Sequence, residues 1–211
     1  MREDRVFGSL RKKWNRKHLT DERFTFLFEG DFSGEVVVFD CETTGLDPKK
    51  DGIVSIGAVK IKENRILTDE AMHIYVKQEK QISHESITIH QIRHCDLEDA
   101  VPIEEAIEEF LYFIGGRTLA GYYLEFDVAM INKYIKPMYG ITLPNKQEEV
   151  SAIYYDKKIS TIPQGNIDLR FETIIEDLSL PKLQAHDALN DAVMTAMIYL
   201  KLKHTKSLRR T

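Results

Sequence analysis

Two acidic residues, Asp40 and Glu42, stand one residue apart at the end of the apolar run 36–39. The β-branched residues of that run have strand character, and the sequence Thr-Thr-Gly at 43–45 is typical of a strand's end. Because side chains alternate along a strand, both carboxylates project from one face and Cys41 from the other. Adjacent carboxylates are costly to bury unless a cation lies between them, and hard divalent cations prefer oxygen ligands. The pair therefore predicts a metal site, although two solvated charges at a strand end would show the same local pattern.

Three separated motifs resemble those of a known enzyme family. They are Asp-Cys-Glu-Thr-Thr-Gly-Leu-Asp at 40–47, Phe-Asp at 126–127 and His-Asp-Ala-Leu-Asn-Asp at 186–191. In this form and order they resemble the motifs of the DEDD-type 3′→5′ exonucleases, the superfamily of the proofreading epsilon subunit of the bacterial replicative polymerase. The histidine five residues before the last aspartate is typical of the DEDDh subgroup. The resemblance predicts an exonuclease domain over 34–211, preceded by a basic and aromatic N-terminal extension over 1–33.

The resemblance implies a hydrolytic site that holds two divalent cations, Mg²⁺ or Mn²⁺. Two metals about 3.5–4 Å apart can activate water, neutralise a phosphate and stabilise the leaving oxygen. The implied carboxylate ligands are Asp40, Glu42, Asp127 and Asp191, with Asp40 bridging the two ions. His186 is the implied general base, and histidine suits that role because its unperturbed pKa is ~6.5. Taken singly, the acids of the second and third motifs would also fit ordinary positions at the start of a helix.

The same resemblance implies contacts with the substrate. Thr43 would lie near the terminal 3′-hydroxyl, and Leu46 would pack against the last base. His90, in the segment Ile-His-Gln-Ile, would lie beside the terminal nucleotide, although a surface-loop histidine would fit there as well. Tyr123 stands where the family usually has asparagine, and a tyrosine could instead stack on a base. A further departure is Val-Ser at 150–151, where the family usually has Asp-Thr.

The pattern of the remaining chain predicts a mixed α/β fold. Strands are expected at about 35–41, 53–59, 66–76 and 118–121, and helices at about 102–114, 126–139, 168–178 and 187–203, with 140–166 irregular. The first three strands have short connections and form an antiparallel meander, after which helices and a strand alternate. A sheet that combines this meander with parallel strands and is flanked by helices agrees with the ribonuclease H-like fold that the resemblance implies.

Composition limits the classes of protein to consider. The chain has 211 residues, of which 43% are apolar, as expected for one domain with a terminal elaboration. No apolar run approaches the ~18 residues that span a bilayer, and the charged N-terminus has no apolar signal core. The two cysteines, Cys41 and Cys95, do not suggest a disulfide framework. A cytoplasmic protein without membrane association is therefore expected.

Charge is distributed unevenly along the chain. Residues 1–20 and 201–211 each carry +5, whereas the remainder carries −15 and the whole chain −5. The basic ends could bind phosphates or could simply keep the chain soluble, so net charge does not identify the partner. The aromatic residues among 1–33, which include Trp14 and Phe24, indicate a segment that docks on the domain or on a partner.

We therefore expect a metal-dependent 3′→5′ exonuclease that releases nucleoside monophosphates from DNA 3′ ends, with single-stranded DNA as the favoured substrate. The nearest alternative is an exoribonuclease acting on RNA 3′ ends or short oligoribonucleotides, because no residue reports on a 2′-hydroxyl. The alternative from another class is an inactive nucleic-acid-binding module. Stable association with a polymerase is not expected, because no long tail follows the last predicted helix.

Overall fold

A five-stranded mixed sheet forms the centre of the computed structural model, which describes residues 12–78, 92, 97–159 and 166–205. The strands are β1 (Glu35–Thr43), β2 (Ile53–Lys62), β3 (Arg65–Tyr75), β4 (Thr118–Gly121) and β5 (Gln147–Glu149). Their order across the sheet is β3-β2-β1-β4-β5. β2 is antiparallel to both β1 and β3, whereas β4 is parallel to both β1 and β5. This arrangement confirms the predicted α/β class, with its antiparallel meander and added parallel strands.

Helices cover both faces of the sheet. They are α1 (Ile103–Ile114), α2 (Leu124–Tyr139), α3 (Val150–Ile159), α4 (Phe171–Asp177) and α5 (Ala188–His204). Alternation along β1 divides the core, because Val37 and Phe39 pack with α1 and α2 whereas Val38 packs with α3, α4 and α5. Asp40 and Glu42 are two and four residues after Val38, so their side chains lie on the same face of β1 as that of Val38. The two acidic side chains therefore project from the face that α5 covers.

The first turn of α5 lies directly on the sheet at Gly57. A Cβ atom at this position would lie 2.2 Å from the backbone carbon of Ala188 and 2.2 Å from the nitrogen of Leu189. Only glycine permits so close an approach without displacing the helix. Gly57 is also the cross-strand partner of Asp40, so this contact brings the start of α5 beside the acidic end of β1.

The prediction of irregular structure over 140–166 was wrong for 147–159. β5 has the sequence Gln-Glu-Glu, which shows no apolar alternation, and only its parallel pairing with β4 identifies it as a strand. α3 has a weakly apolar face, and it buries Lys158, whose ammonium group lies 2.5 Å from Asp177. Both elements depend on long-range pairing that a local pattern does not contain.

The described part of the N-terminal segment packs on the domain. It consists of a helix over 12–18 and a 3₁₀ helix, Glu22–Phe28. Phe24 is fully buried in the core that α1 and α2 share, and the Asn15 amide donates hydrogen bonds to the carbonyl and hydroxyl oxygens of Thr142. Trp14, in contrast, is 56% exposed. Residues 12–28 are thus held by buried contacts, while the indole ring faces solvent.

Two further observations concern membrane-spanning helices and the cysteines. Within the described residues, no helix has both the length and the apolar character needed to cross a bilayer. Cys41 is a buried free thiol, and Cys95 lies outside the described residues.

Candidate active site and metal centre

Three carboxylates from two elements that are distant in sequence converge at the acidic end of β1. Asp40 and Glu42 come from one face of β1, and Asp191 comes from the first turn of α5. Each offers one oxygen, and these three oxygens all lie within 4.8 Å of one another. The convergence requires the close approach of α5 to Gly57. Three of the four predicted metal ligands are thereby brought together.

Burial and mutual repulsion raise the pKa values of these carboxyl groups. Burial raises the pKa of Glu42 to about 7, with further contributions from Asp191 and Asp187. Burial also raises the pKa of Asp191 to about 6, against the lowering effect of a backbone hydrogen bond from His186. The pKa of Asp40 is raised well above its ordinary value by burial and by the surrounding acids. A cation among these oxygens would remove the cost of ionising them together.

The donor set fits a hard divalent cation. Asp191 Oδ2 accepts a hydrogen bond of 3.0 Å from the backbone N–H of His186, whereas Asp191 Oδ1 is buried without a hydrogen-bond partner in the described structure. A buried carboxylate oxygen without a partner is energetically costly unless it binds an ion. Oxygen-only ligation by Asp40, Glu42 and Asp191 is the chemistry that Mg²⁺ and Mn²⁺ prefer.

Asp127, the fourth predicted ligand, lies in the first turn of α2 and is 3% exposed. Its Oδ1 accepts a hydrogen bond of 3.2 Å from the backbone N–H of Cys41, the residue between Asp40 and Glu42. Burial raises its pKa well above the ordinary value, although the Cys41 N–H opposes this. Asp127 is therefore adjacent to the converging oxygens without belonging to the set that lies within 4.8 Å.

His186 borders a cavity of about 310 Å³ that Asp40 and Asp191 also line. Its backbone is left-handed, with φ of 62°, a conformation in which histidine is enriched relative to most non-glycine residues. This turn directs the His186 N–H to Asp191, while the side chain remains exposed. Asp187 then begins α5 by accepting a hydrogen bond from the Asn190 N–H. The imidazole is thus accessible to a molecule in the cavity.

The residues predicted to contact substrate differ in how the structure places them. Thr43, the last residue of β1, donates a hydrogen bond of 2.8 Å from Oγ1 to the Gly45 carbonyl. Leu46, in the connection between β1 and β2, is 85% exposed. Tyr123 is 73% exposed and precedes α2 in a left-handed conformation, with φ of 57°. His90 lies outside the described residues. Leu46 and Tyr123 thus present large apolar surfaces to solvent.

Asp51 organises the connection between β1 and β2, and sequence reasoning did not identify it. Its Oδ2 accepts a hydrogen bond of 2.8 Å from the Asp47 N–H, and its Oδ1 accepts one from the Thr44 hydroxyl. The Lys133 ammonium group donates to the Asp51 carbonyl and ties the connection to α2. The signal was an aspartate directly before a glycine, which is typical of a turn stabilised by its own side chain.

Glu149 is a second residue that sequence reasoning missed. Its Oε2 accepts a hydrogen bond of 2.8 Å from the Leu124 N–H, and its Oε1 accepts bonds from the Ser151 N–H and hydroxyl. The carboxylate at the end of β5 therefore satisfies the first turn of α2, which carries Asp127. It was missed because β5 itself has no recognisable strand pattern.

The sequence of this chain is similar to those of known nucleases and polymerase subunits. The sequence profile of the family described as Exonuclease matches residues 37–199. The chain is 32% identical over 165 residues to the PolC-type DNA polymerase III of Thermotoga petrophila, which covers 78% of this chain and only 12% of that protein. It is 30% identical over 169 residues to the DNA polymerase III epsilon subunit of Aquifex aeolicus, which covers 80% of each chain.

A solved structure shares the fold. Escherichia coli exonuclease I in complex with a dT13 oligonucleotide aligns with a TM-score of 0.65 at 15% identity, over 81% of this chain and 41% of that chain. This likeness confirms the predicted ribonuclease H-like fold.

Proposed function

The chain belongs to the exonuclease family, and from that premise we propose that it is a metal-dependent 3′→5′ exonuclease of the DEDDh branch acting on DNA. The observation that carries the proposal is the convergence of Asp40, Glu42 and Asp191 within 4.8 Å. His186 borders the adjoining cavity. A carboxylate cluster beside an accessible imidazole supplies the groups that phosphodiester hydrolysis requires.

Two divalent cations, Mg²⁺ or Mn²⁺, are the proposed cofactors. Asp40, Glu42 and Asp191 would hold one ion, and Asp40 would be shared with a second ion beside Asp127. When bound, the ions would neutralise the phosphate and stabilise the charge that develops on the leaving oxygen. The unpartnered Oδ1 of Asp191 supports this assignment because a cation would satisfy it.

His186 is the proposed general base. It would accept a proton from the attacking water as the water oxygen bonds to phosphorus and the bond from phosphorus to the neighbouring 3′-oxygen breaks. The leaving 3′-oxygen takes a proton from solvent, so the products are a nucleoside 5′-monophosphate and a strand one nucleotide shorter with a new 3′-hydroxyl. The hydrogen bond from the backbone N–H of His186 to Asp191 would keep the imidazole beside the reacting phosphate.

The terminal nucleoside is proposed to lie against the β1–β2 connection. Thr43 would contact the 3′-hydroxyl, Leu46 the last base and His90 the same nucleotide. The exposure of Leu46 supports this role, since an apolar side chain 85% exposed gains burial when a base covers it. Tyr123, 73% exposed and without the amide that the family usually has there, would stack on a base.

Single-stranded DNA is the proposed substrate and partner. The epsilon subunit of Aquifex aeolicus is named for a DNA polymerase, and the exonuclease I structure holds a deoxythymidine oligonucleotide. We place the protein in a reducing cytoplasm, which agrees with the buried free thiol of Cys41.

Labelled oligonucleotides test the proposal. With Mg²⁺, the purified protein should shorten 5′-labelled single-stranded DNA progressively, and it should release the label of 3′-labelled DNA at once as a mononucleotide. Faster degradation of RNA of the same sequence would instead favour the exoribonuclease alternative. Binding of the DNA and the RNA without any product would instead favour the inactive nucleic-acid-binding module.

A further inference from the structure

Arg170, which directly precedes α4, lines the cavity that opens beside the metal ligands. The cavity measures about 310 Å³, and Asp40, His186 and Asp191 line it as well. Its other described lining residues are Tyr122, Phe171, Glu172, Ala185 and Thr195. Arg170 is thus the one described lining residue with a permanent positive charge. A substrate phosphate that entered this cavity would meet a guanidinium group.

The Arg170 side chain is hydrogen-bonded to Asp168, two residues earlier in its own turn. Asp168 accepts hydrogen bonds from Arg170 Nε at 2.9 Å and from Nη2 at 2.5 Å, and the Arg170 backbone N–H also donates to it. Thr173 donates a further hydrogen bond to the same carboxylate. None of the described hydrogen bonds uses Nη1. The guanidinium group is thus paired with Asp168 although its side chain is 78% exposed, and Nη1 remains as a donor for a ligand.

Arg170 lies on the opposite side of the metal ligands from the proposed site of the terminal nucleoside. The β1–β2 connection, which carries Thr43 and Leu46, leads towards β2, whereas Tyr122 follows β4 on the other side of β1. Tyr122 joins β4 to the cavity, since its ring contacts Phe171 and its hydroxyl donates to the Leu169 carbonyl. A strand whose last nucleoside lies at the connection would cross the metal ligands and continue in the 5′ direction towards Arg170.

We propose that Arg170 binds the phosphate immediately 5′ of the scissile phosphodiester and so positions the penultimate nucleotide. This inference rests on the proposed function, because it requires the strand to end at Asp40 and Glu42. Arg170 contributes to the affinity and placement of a strand at least three nucleotides long. It does not contribute to the proton transfer at His186.

Binding measurements with a locally neutralised strand test the proposal. A fluorescent single-stranded DNA is prepared in three forms: with all phosphates, with an uncharged methylphosphonate at the linkage 5′ of the scissile one, and with a methylphosphonate several linkages further from the 3′ end. Affinity is measured by anisotropy with Ca²⁺ in place of Mg²⁺. Loss of one charge-assisted contact corresponds to about a tenfold loss of affinity.

Arg170→Ala should bind the unmodified strand about tenfold more weakly than wild type, with a salt dependence reduced by about 0.7 in logarithmic slope. Neutralising the linkage beside the scissile one should weaken wild type to the same extent and should not weaken Arg170→Ala further. Arg170→Lys should retain part of the affinity, because it keeps the charge and loses the fork. Lys182→Ala, which removes an exposed cation paired with Glu176 outside this cavity, is the matched control and should bind like wild type.

Asp168→Asn distinguishes this role from a structural one. It removes the charge of the Asp168 partner but keeps the Arg170 charge and an acceptor oxygen, so the proposal predicts a smaller loss of affinity than Arg170→Ala causes. Equal weakening by Asp168→Asn and Arg170→Ala would overturn the proposal, and so would additive effects of Arg170→Ala and the neutralised linkage. Nucleotide release by wild type in Mg²⁺ is measured separately, so a failure of the proposed function would be recognised independently of Arg170.

Discussion

The backbone N–H of Cys41 donates a hydrogen bond of 3.2 Å to Asp127 Oδ1, which joins the first turn of α2 to the strand that carries Asp40 and Glu42. Asp127 therefore has a structural contact in addition to its proposed role as a ligand. Because this contact needs only an acceptor, the two roles can be separated by substitution. An asparagine keeps the acceptor and removes the charge.

Asp127→Asn should fold as stably as wild type and lose nucleotide release by about 100-fold or more, because an amide is a poor ligand for a divalent cation. Asp127→Ala should be less stable than Asp127→Asn by about 1–3 kcal/mol, since the buried Cys41 N–H then has no partner. Chemical denaturation and oligonucleotide assays on the two variants measure both effects. Equal stability of the two variants would contradict the structural role, and full activity of Asp127→Asn would contradict the catalytic one.

His186→Ala should reduce single-turnover nucleotide release by about 10²–10⁴-fold, the usual contribution of a general base. Stabilisation by Mn²⁺ should persist in this variant, because the imidazole does not belong to the converging oxygen set. Quenched-flow assays and thermal denaturation with and without Mn²⁺ are the measurements. An unchanged rate would show that His186 only shapes the start of α5.

The stability of the metal-free protein should fall as pH rises through the range in which its acidic cluster ionises. The pKa of Glu42 is raised from 4.5 to about 7 and that of Asp191 from 3.8 to about 6. Between the ordinary and raised values the folded state retains protons that the unfolded state releases, so folding is favoured at the acidic end of the range. In EDTA, the melting temperature should therefore be higher at about pH 5 than at about pH 8.

Mn²⁺ should remove much of that pH dependence by replacing the bound protons, and Glu42→Gln should flatten it in EDTA. Thermal denaturation across the pH range measures both effects. A metal-free protein whose melting temperature rises steadily from about pH 5 to about pH 8 would contradict the assigned pKa directions.

The N-terminal segment offers a matched pair of aromatic substitutions. Phe24→Ala should cost about 3–5 kcal/mol of unfolding free energy, because Phe24 is fully buried in the core. Trp14→Ala should change the unfolding free energy by no more than about 0.5 kcal/mol, since the indole is 56% exposed. Urea denaturation of both variants tests this difference. Similar losses in the two would show that the segment does not pack as described.

Much of the fold could be predicted from the sequence, because its central elements have local patterns. The β-branched run of β1 and the apolar spacing of α1 are such patterns, and the structure places both elements close to their predicted bounds. β5 and α3 could not be predicted, because their stability depends on contacts with distant residues. Glu148, for example, accepts a hydrogen bond from the Tyr199 hydroxyl on α5, and no local periodicity reports such a contact.

The candidate site shows the same division. The resemblance of the three motifs predicted Asp40, Glu42, Asp127 and Asp191 as a group, and the oxygens of all but Asp127 converge. The positions of Glu149 and Arg170 could not be predicted, because each acts through a neighbour in space, whereas the Asp-Gly sequence at 51–52 indicated a turn at Asp51. Motifs in the sequence can indicate the candidate metal ligands. Residues that hydrogen-bond to backbone groups or line a cavity are recognised only once the structure shows those contacts.

Release of nucleotides by ligand variants tests the central claim most directly. Wild type, Asp40→Asn and Asp191→Asn are incubated with 5′-labelled single-stranded DNA in saturating Mg²⁺, after thermal denaturation has shown that each is folded. We predict progressive shortening from the 3′ end by wild type, none by wild type in EDTA, and none by either variant. Full activity of a folded Asp40→Asn or Asp191→Asn protein would contradict this prediction.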